Sequence, residues 1–167
     1  MARRSQEVVS DVDTQTLLAA TKVISAAVAH SLAAVEDQVS VPGLRVLVMI
    51  QARGPLNLSS VAEALGVNAS SASRTCDRLV SAELLDRRES PRDRRQVSLT
   101  LTQRGQQFVD DVMSERLAIL NEVIAAMPEQ DRRELMRSLD AFVNAATWLT
   151  DHPGLDDSTG RLLRWVI

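Results

Sequence analysis

Aromatic side chains make up 2% of this 167-residue chain, and tyrosine is absent. A core of stacked rings is therefore excluded, and Leu, Val, Ile and Ala must fill it, which suits helices packed along apolar stripes. Cys76 is the only cysteine, so no intrachain disulfide can form; this fits a reducing compartment. Residues 1–10 are polar and charged, so no signal peptide is expected there. The Ala-rich stretch 17–35 is interrupted by Lys22 and His30, which points to an amphipathic packing helix rather than a membrane span. A cytoplasmic protein is expected, with no membrane partner. His30, His152 and Cys76 are too scattered for a transition-metal site. No phosphate-cradling glycine loop and no nucleophile–base pair occurs. An enzyme, a cofactor and a metal centre are all unexpected. With 45% hydrophobic residues, the chain can form one compact domain, or one lobe plus helices that pair with a second copy.

Eighteen of the nineteen basic residues are Arg, Lys22 being the exception, and the formal charge is −3. That average hides an asymmetry. Between Arg74 and Arg104, eight arginines face five acids, on an acidic remainder. A basic segment on an acidic body is a localised electrostatic footprint for nucleic acid. Arginine suits that role, because its planar fork makes two hydrogen bonds to a phosphate or a base edge. A composition bias would produce the same excess of Arg.

The apolar spacing predicts a helix over 11–36, with Leu17, Ala20, Ile24, Val28, Leu32 and Val35 on one stripe. Ser40 and Pro42 start a second helix that Gly54 and Pro55 end. Ser59 or Ser60 is a candidate cap for a short third helix closing at Gly66, and Asn68 for a fourth over 69–82. Two short helices joined by a tight turn containing Gly form a helix-turn-helix. The period then shifts from helix to strand. Residues 84–88 and 96–101 read as two strands of a hairpin, with a Ser90-Pro91-Arg92-Asp93 turn between them. Thr102 caps a long helix to about residue 127, and Pro128 opens another to about 150.

Val61-Ala62-Glu63-Ala64-Leu65-Gly66-Val67, Ser73-Arg74-Thr75-Cys76-Asp77-Arg78-Leu79, Arg88-Glu89-Ser90-Pro91-Arg92-Asp93-Arg94-Arg95 and Leu101-Thr102-Gln103-Arg104-Gly105 follow one another in order. In these stretches residues 44–105 resemble the MarR family of transcription regulators. The resemblance implies a mainly α fold with a small β-hairpin wing: a winged helix-turn-helix at 40–102, flanked by dimerisation helices at 11–36 and 103–150. Residues 151–167 remain as a tail, which either straps onto a partner subunit or is a disordered end. It also implies a homodimer on a pseudo-palindromic double-stranded DNA operator, usually as a repressor released by a small-molecule effector. Two positions depart from the family pattern. Glu83 stands where Gly usually follows the recognition helix, and Ala69 where Pro often begins it.

On the fourth helix Ala72, Cys76 and Leu79 share a packing face, which leaves Ser70, Ser71, Ser73, Arg74 and Arg78 for DNA. Small hydroxyls let a helix sit deep in the major groove, and Arg takes the O6/N7 edge of guanine. The resemblance implies that Arg95, oriented by Asp93, enters the minor groove while Arg92 and Arg94 meet flanking phosphates. Cys76 reads as core rather than as a redox sensor. His30, Arg45, Arg53 and Phe108 are candidates to line an effector pocket; ordinary packing or exposure is the other reading of each. A winged helix used for protein assembly is a competing function, as is an architectural DNA-binding protein without a ligand. The Arg-rich wing and small-residue face count against the former.

Overall fold

Side-chain caps set where the helices of this chain begin. The computed structural model describes residues 10–89 and 97–151. Ser10 and Asp13 form a reciprocal capping box that starts α1 (Asp11–Ala33). Ser40 accepts from the Gly43 N–H and starts α2 (Val41–Arg53), with Pro42 in its first turn. A two-residue strand, β1 (Leu56–Asn57), leads into α3 (Leu58–Leu65). The cap of α3 is Asn57, accepting from the Ser60 N–H at 2.8 Å, and not Ser59 or Ser60. Gly66 closes α3 in the left-handed conformation, φ 67°. Asn68 caps α4 (Ala69–Ser81) as its sequence predicts, accepting from the Ser71 N–H at 2.9 Å. Strands β2 (Leu85–Glu89) and β3 (Val97–Leu101) follow, then α5 (Gln103–Ala125), capped by Thr102, and α6 (Glu129–Asp151).

The expected hairpin is part of a three-stranded antiparallel sheet ordered β1-β3-β2. Leu56 pairs with Leu99, while Leu85, Arg87 and Glu89 pair with Leu101, Leu99 and Val97. The alternation of β3 turns Leu99 inward, where it is 2% exposed. It joins Leu47, Ile50, Val61, Ala72, Cys76, Leu85, Val109 and Val112 in one buried cluster. Helices α2, α3 and α4, the sheet and the first half of α5 all contribute to that cluster, so the helix-turn-helix and its wing share one core.

The first helix ends at Ala33, earlier than the apolar spacing suggests. The Ala34 N–H bonds back to His30 and Leu32, and the turn that follows tucks Val35 and Val39 against the core. Ala27 and Ser31 of α1 are buried against α5. There the Ser31 hydroxyl accepts from Nε and Nη2 of Arg116, both at 3.3 Å. Farther toward the N-terminus the stripe is uncovered: Leu17 and Ile24 are each 48% exposed. Val123 of α5, and Leu139, Phe142 and Val143 of α6, are exposed as well. By length and composition α1 is long and apolar enough to cross a membrane, but its last turns are committed to α5.

The turn after α4 adopts the conformation that favours glycine. Glu83 has φ 59°, and the Leu84 N–H reaches back to the Leu79 carbonyl, closing α4 in a Schellman arrangement. Three contacts hold the turn: the Thr102 hydroxyl donates to the Glu83 carbonyl at 2.6 Å, the Thr102 N–H to that of Leu84 at 3.2 Å, and Arg104 pairs with the Glu83 carboxylate at 3.0 Å. Both Glu83→Gly and Glu83→Ala lose the exposed ion pair, but only alanine retains the left-handed penalty. In urea unfolding the glycine variant is expected to exceed the alanine variant by about 1 kcal/mol. Equal stabilities would mean that the turn relaxes out of this conformation.

Candidate nucleic-acid interface

The spacing of α4 sorts its residues as the sequence predicts. Ala72, Cys76 and Leu79 are buried. Ser70, Arg74, Asp77 and Arg78 are exposed, and Ser71, Ser73 and Thr75 half-buried beside them. The outward face thus carries hydroxyls and two guanidinium groups, with no large apolar side chain beyond the partly buried Val80. Such a face is narrow enough for a major groove and supplies both donors and acceptors.

These polar groups bond to one another. The Ser70 hydroxyl lies 2.8 Å from the Asn68 side-chain oxygen, and Arg74 Nη2 donates to Ser71 Oγ at 3.2 Å. Ser73 Oγ donates to Asp77 Oδ2 at 3.3 Å, and the other oxygen of Asp77 takes Nη2 of Arg87 from β2. Nothing in the sequence alone joins Asp77 to Arg87. A lone acid among the cations of α4 was the available signal, since it demands a partner; ten residues and a change of element hid which one.

Arg92, Asp93, Arg94 and Arg95 lie outside the described residues, as do the Ser90-Pro91-Arg92-Asp93 turn and the tail beyond residue 151. At the root of the wing, Glu89 and Val97 are Cα partners across β2 and β3.

Cys76 is fully buried. Burial pushes its thiol up, the nearby Arg87 guanidinium opposes that rise and Asp77 adds to it. A protonated, inaccessible sulfur is a poor nucleophile, so Cys76 serves as core.

The four effector-pocket candidates have separate surroundings. His30, exposed on α1, sits 3.2 Å from Glu115 of α5. Arg45 donates from α2 to the Ala64 carbonyl at 3.2 Å, where it satisfies the end of α3. Arg53 occupies the exposed last turn of α2. Phe108 packs half-buried against the core from α5 and borders an open groove with Thr102, Gln107 and Asp111. Among the described residues, no group of three or more His, Cys, Asp or Glu is placed to hold a metal ion.

The sequence profile of the MarR family matches residues 39–97, from the end of the first turn through the wing. The HTH-type transcriptional repressor MdtR of Bacillus subtilis (strain 168) is 31% identical over 88 residues. That match spans 53% of this chain and 57% of the repressor, so just over half the length of that relative is covered. The crystal structure of RV1404 from Mycobacterium tuberculosis is 38% identical, with a TM-score of 0.71 over 84% of this chain and 96% of that one. The transcriptional regulator Tm0710 from Thermotoga maritima, at 16% identity, shares the fold: its TM-score is 0.72 over 83% of this chain and 99% of its own.

Proposed function

Because this chain belongs to the MarR family of transcription regulators, we propose that it binds a pseudo-palindromic operator as a homodimer and represses transcription until a small molecule releases it. The observation that carries this reading is the outward face of α4, where the exposed Ser70, Arg74 and Arg78 and the half-buried Ser71 and Ser73 stand together above the buried Ala72, Cys76 and Leu79. Arg74 and Arg78 read base edges or grip phosphates, and the serines permit close approach. Arg95 enters the minor groove, positioned by Asp93, with Arg92 and Arg94 on the adjoining phosphates. Repression is the sense suggested by the named function of the Bacillus relative.

The division of labour follows the elements. Residues 40–102 form the reading lobe, and helices within 11–36 and 103–150 pair with a second copy; residues 151–167 are a tail. Support for pairing comes from Leu17, Ile24, Phe142 and Val143, apolar side chains that a single chain leaves in water. Two reading helices in such a dimer meet successive major grooves, roughly 10 bp apart. An effector acts by favouring a dimer conformation with a different separation, and it shifts the equilibrium only by its differential affinity. The cytoplasm is the compartment this function requires.

Selection of duplexes from a random-sequence pool by the purified full chain, with its mass in solution measured alongside, tests the proposal. An enriched inverted repeat with half-site centres about 10 bp apart, retained by a dimer, is expected. Enrichment of no sequence, or retention by a monomer, would overturn it.

A further inference from the structure

Asp77 is the only acid on α4, and it lies on the exposed side with Arg74 and Arg78. By charge alone a carboxylate works against a surface that approaches phosphates. Its pairing with Arg87 does not explain its presence as a stabilising device either. The two side chains are 53% and 43% exposed, and an ion pair that open to water adds little to stability.

The explanation lies in how the two oxygens are used. Oδ1 takes Nη2 of Arg87, which stands on β2 at the root of the wing. Oδ2 accepts from the hydroxyl of Ser73, one turn earlier on α4. A serine hydroxyl has one proton and two lone pairs. With the proton committed to Asp77, Ser73 offers only acceptor capacity to whatever lies beyond it. Arg87 ties the same carboxylate to the strand that carries the wing.

We propose that Asp77 is the positioning residue of the DNA-reading face, joining the recognition helix to the wing strand through Arg87 and presenting Ser73 to the major groove as an obligate hydrogen-bond acceptor. The inference rests on the assignment of α4 as the DNA-reading helix. Its consequence is selectivity. An acceptor at Ser73 favours a base edge that offers an amino group, adenine N6 or cytosine N4, over the acceptor edges of guanine and thymine. Coupling to Arg87 ties the outward face of α4 to β2.

Simple electrostatics predicts the opposite sign, which makes the test sharp. The full-length wild type, Asp77→Ala and Ser73→Ala are each taken through selection from a random duplex pool. Each is then titrated against the duplex the wild type enriches most, and against a scrambled duplex of the same composition. Asp77→Ala is expected to bind the enriched duplex about tenfold more weakly and to lose base preference at one position per half-site. Binding to the scrambled duplex should hold or tighten, because a negative charge has gone. Ser73→Ala should relax preference at that same position. Asp77→Ala should melt within about 2 °C of wild type, as loss of an exposed pair requires. Tighter binding of Asp77→Ala to both duplexes with unchanged base preference would overturn the proposal. So would a large fall in its melting temperature, which would make the pair a structural brace, or relaxation at different positions in the two variants. If the wild type enriches no duplex, the DNA-reading assignment itself fails, before any variant is compared.

Discussion

A Gly105→Ala chain is expected to melt about 6–12 °C below the wild type, the equivalent of about 3 kcal/mol for a protein of this length. The cause is a close approach of two pieces of backbone. A Cβ built on Gly105 would lie 2.0 Å from the Leu84 carbonyl oxygen, 2.9 Å from its carbon and 3.2 Å from its Cα. No rotamer change relieves such a clash, because every atom met is main chain. Leu84 follows the left-handed Glu83, and its carbonyl accepts from the Thr102 N–H. Moving it therefore disturbs the cap of α5 and the start of β2 together. Gly66→Ala is the informative comparison. Its φ of 67° penalises a side chain, but nothing lies within 4 Å of the added carbon. A loss of only about 1 kcal/mol is expected there. Thermal unfolding of the full chain measures both, and a Gly105→Ala midpoint within about 2 °C of wild type would contradict the seating of α5 on Leu84.

Arg95→Ala is expected to weaken operator binding by about 10- to 100-fold at physiological salt and to lower the salt slope by about one. A guanidinium in a narrow minor groove sits where the negative potential is focused, so its loss removes both a contact and a counterion-releasing charge. At the root of the wing Glu89 of β2 is paired with Val97 of β3. Arg74→Ala should behave differently. If Arg74 is the major-groove donor proposed above, discrimination between bases should fall by roughly 5- to 100-fold while scrambled DNA is bound nearly as before. Titrations at several salt concentrations separate the two behaviours. Unchanged affinity and slope for Arg95→Ala would remove that residue from the interface.

Much of this fold can be read from the chain because its local signals agree. Ser40 with Pro42, Asn68, and Thr102 are caps, and the α4 spacing separates Cys76 from Arg74 without reference to anything distant. Strand β1 is not legible in this way. Two residues are too few to display a period, and Leu56–Asn57 is a strand only because β3 lies beside it. That strand also decides the cap of α3. Ser59 and Ser60 have suitable chemistry, but Asn57 is the residue at which extended backbone ends. Glu83 illustrates a different limit. Its left-handed backbone follows from the turn between α4 and β2 rather than from any property of glutamate, so only likeness to a family hints at it. On α4 the identities of the outward residues are legible, whereas the bond from Arg87 to Asp77 needs the fold.

The contact between Ser31 and Arg116 spans 85 residues of chain. A ribosome must therefore translate past Arg116 before α1 meets its place on α5. The core of the intervening winged lobe takes Val109 and Val112 from that same helix, so it too closes only once α5 is made. Until α5 emerges, Ala27 and Ser31 of α1 lack the surface that buries them, so nascent chains stalled or truncated before Arg116 should be the ones that chaperones hold and that aggregate.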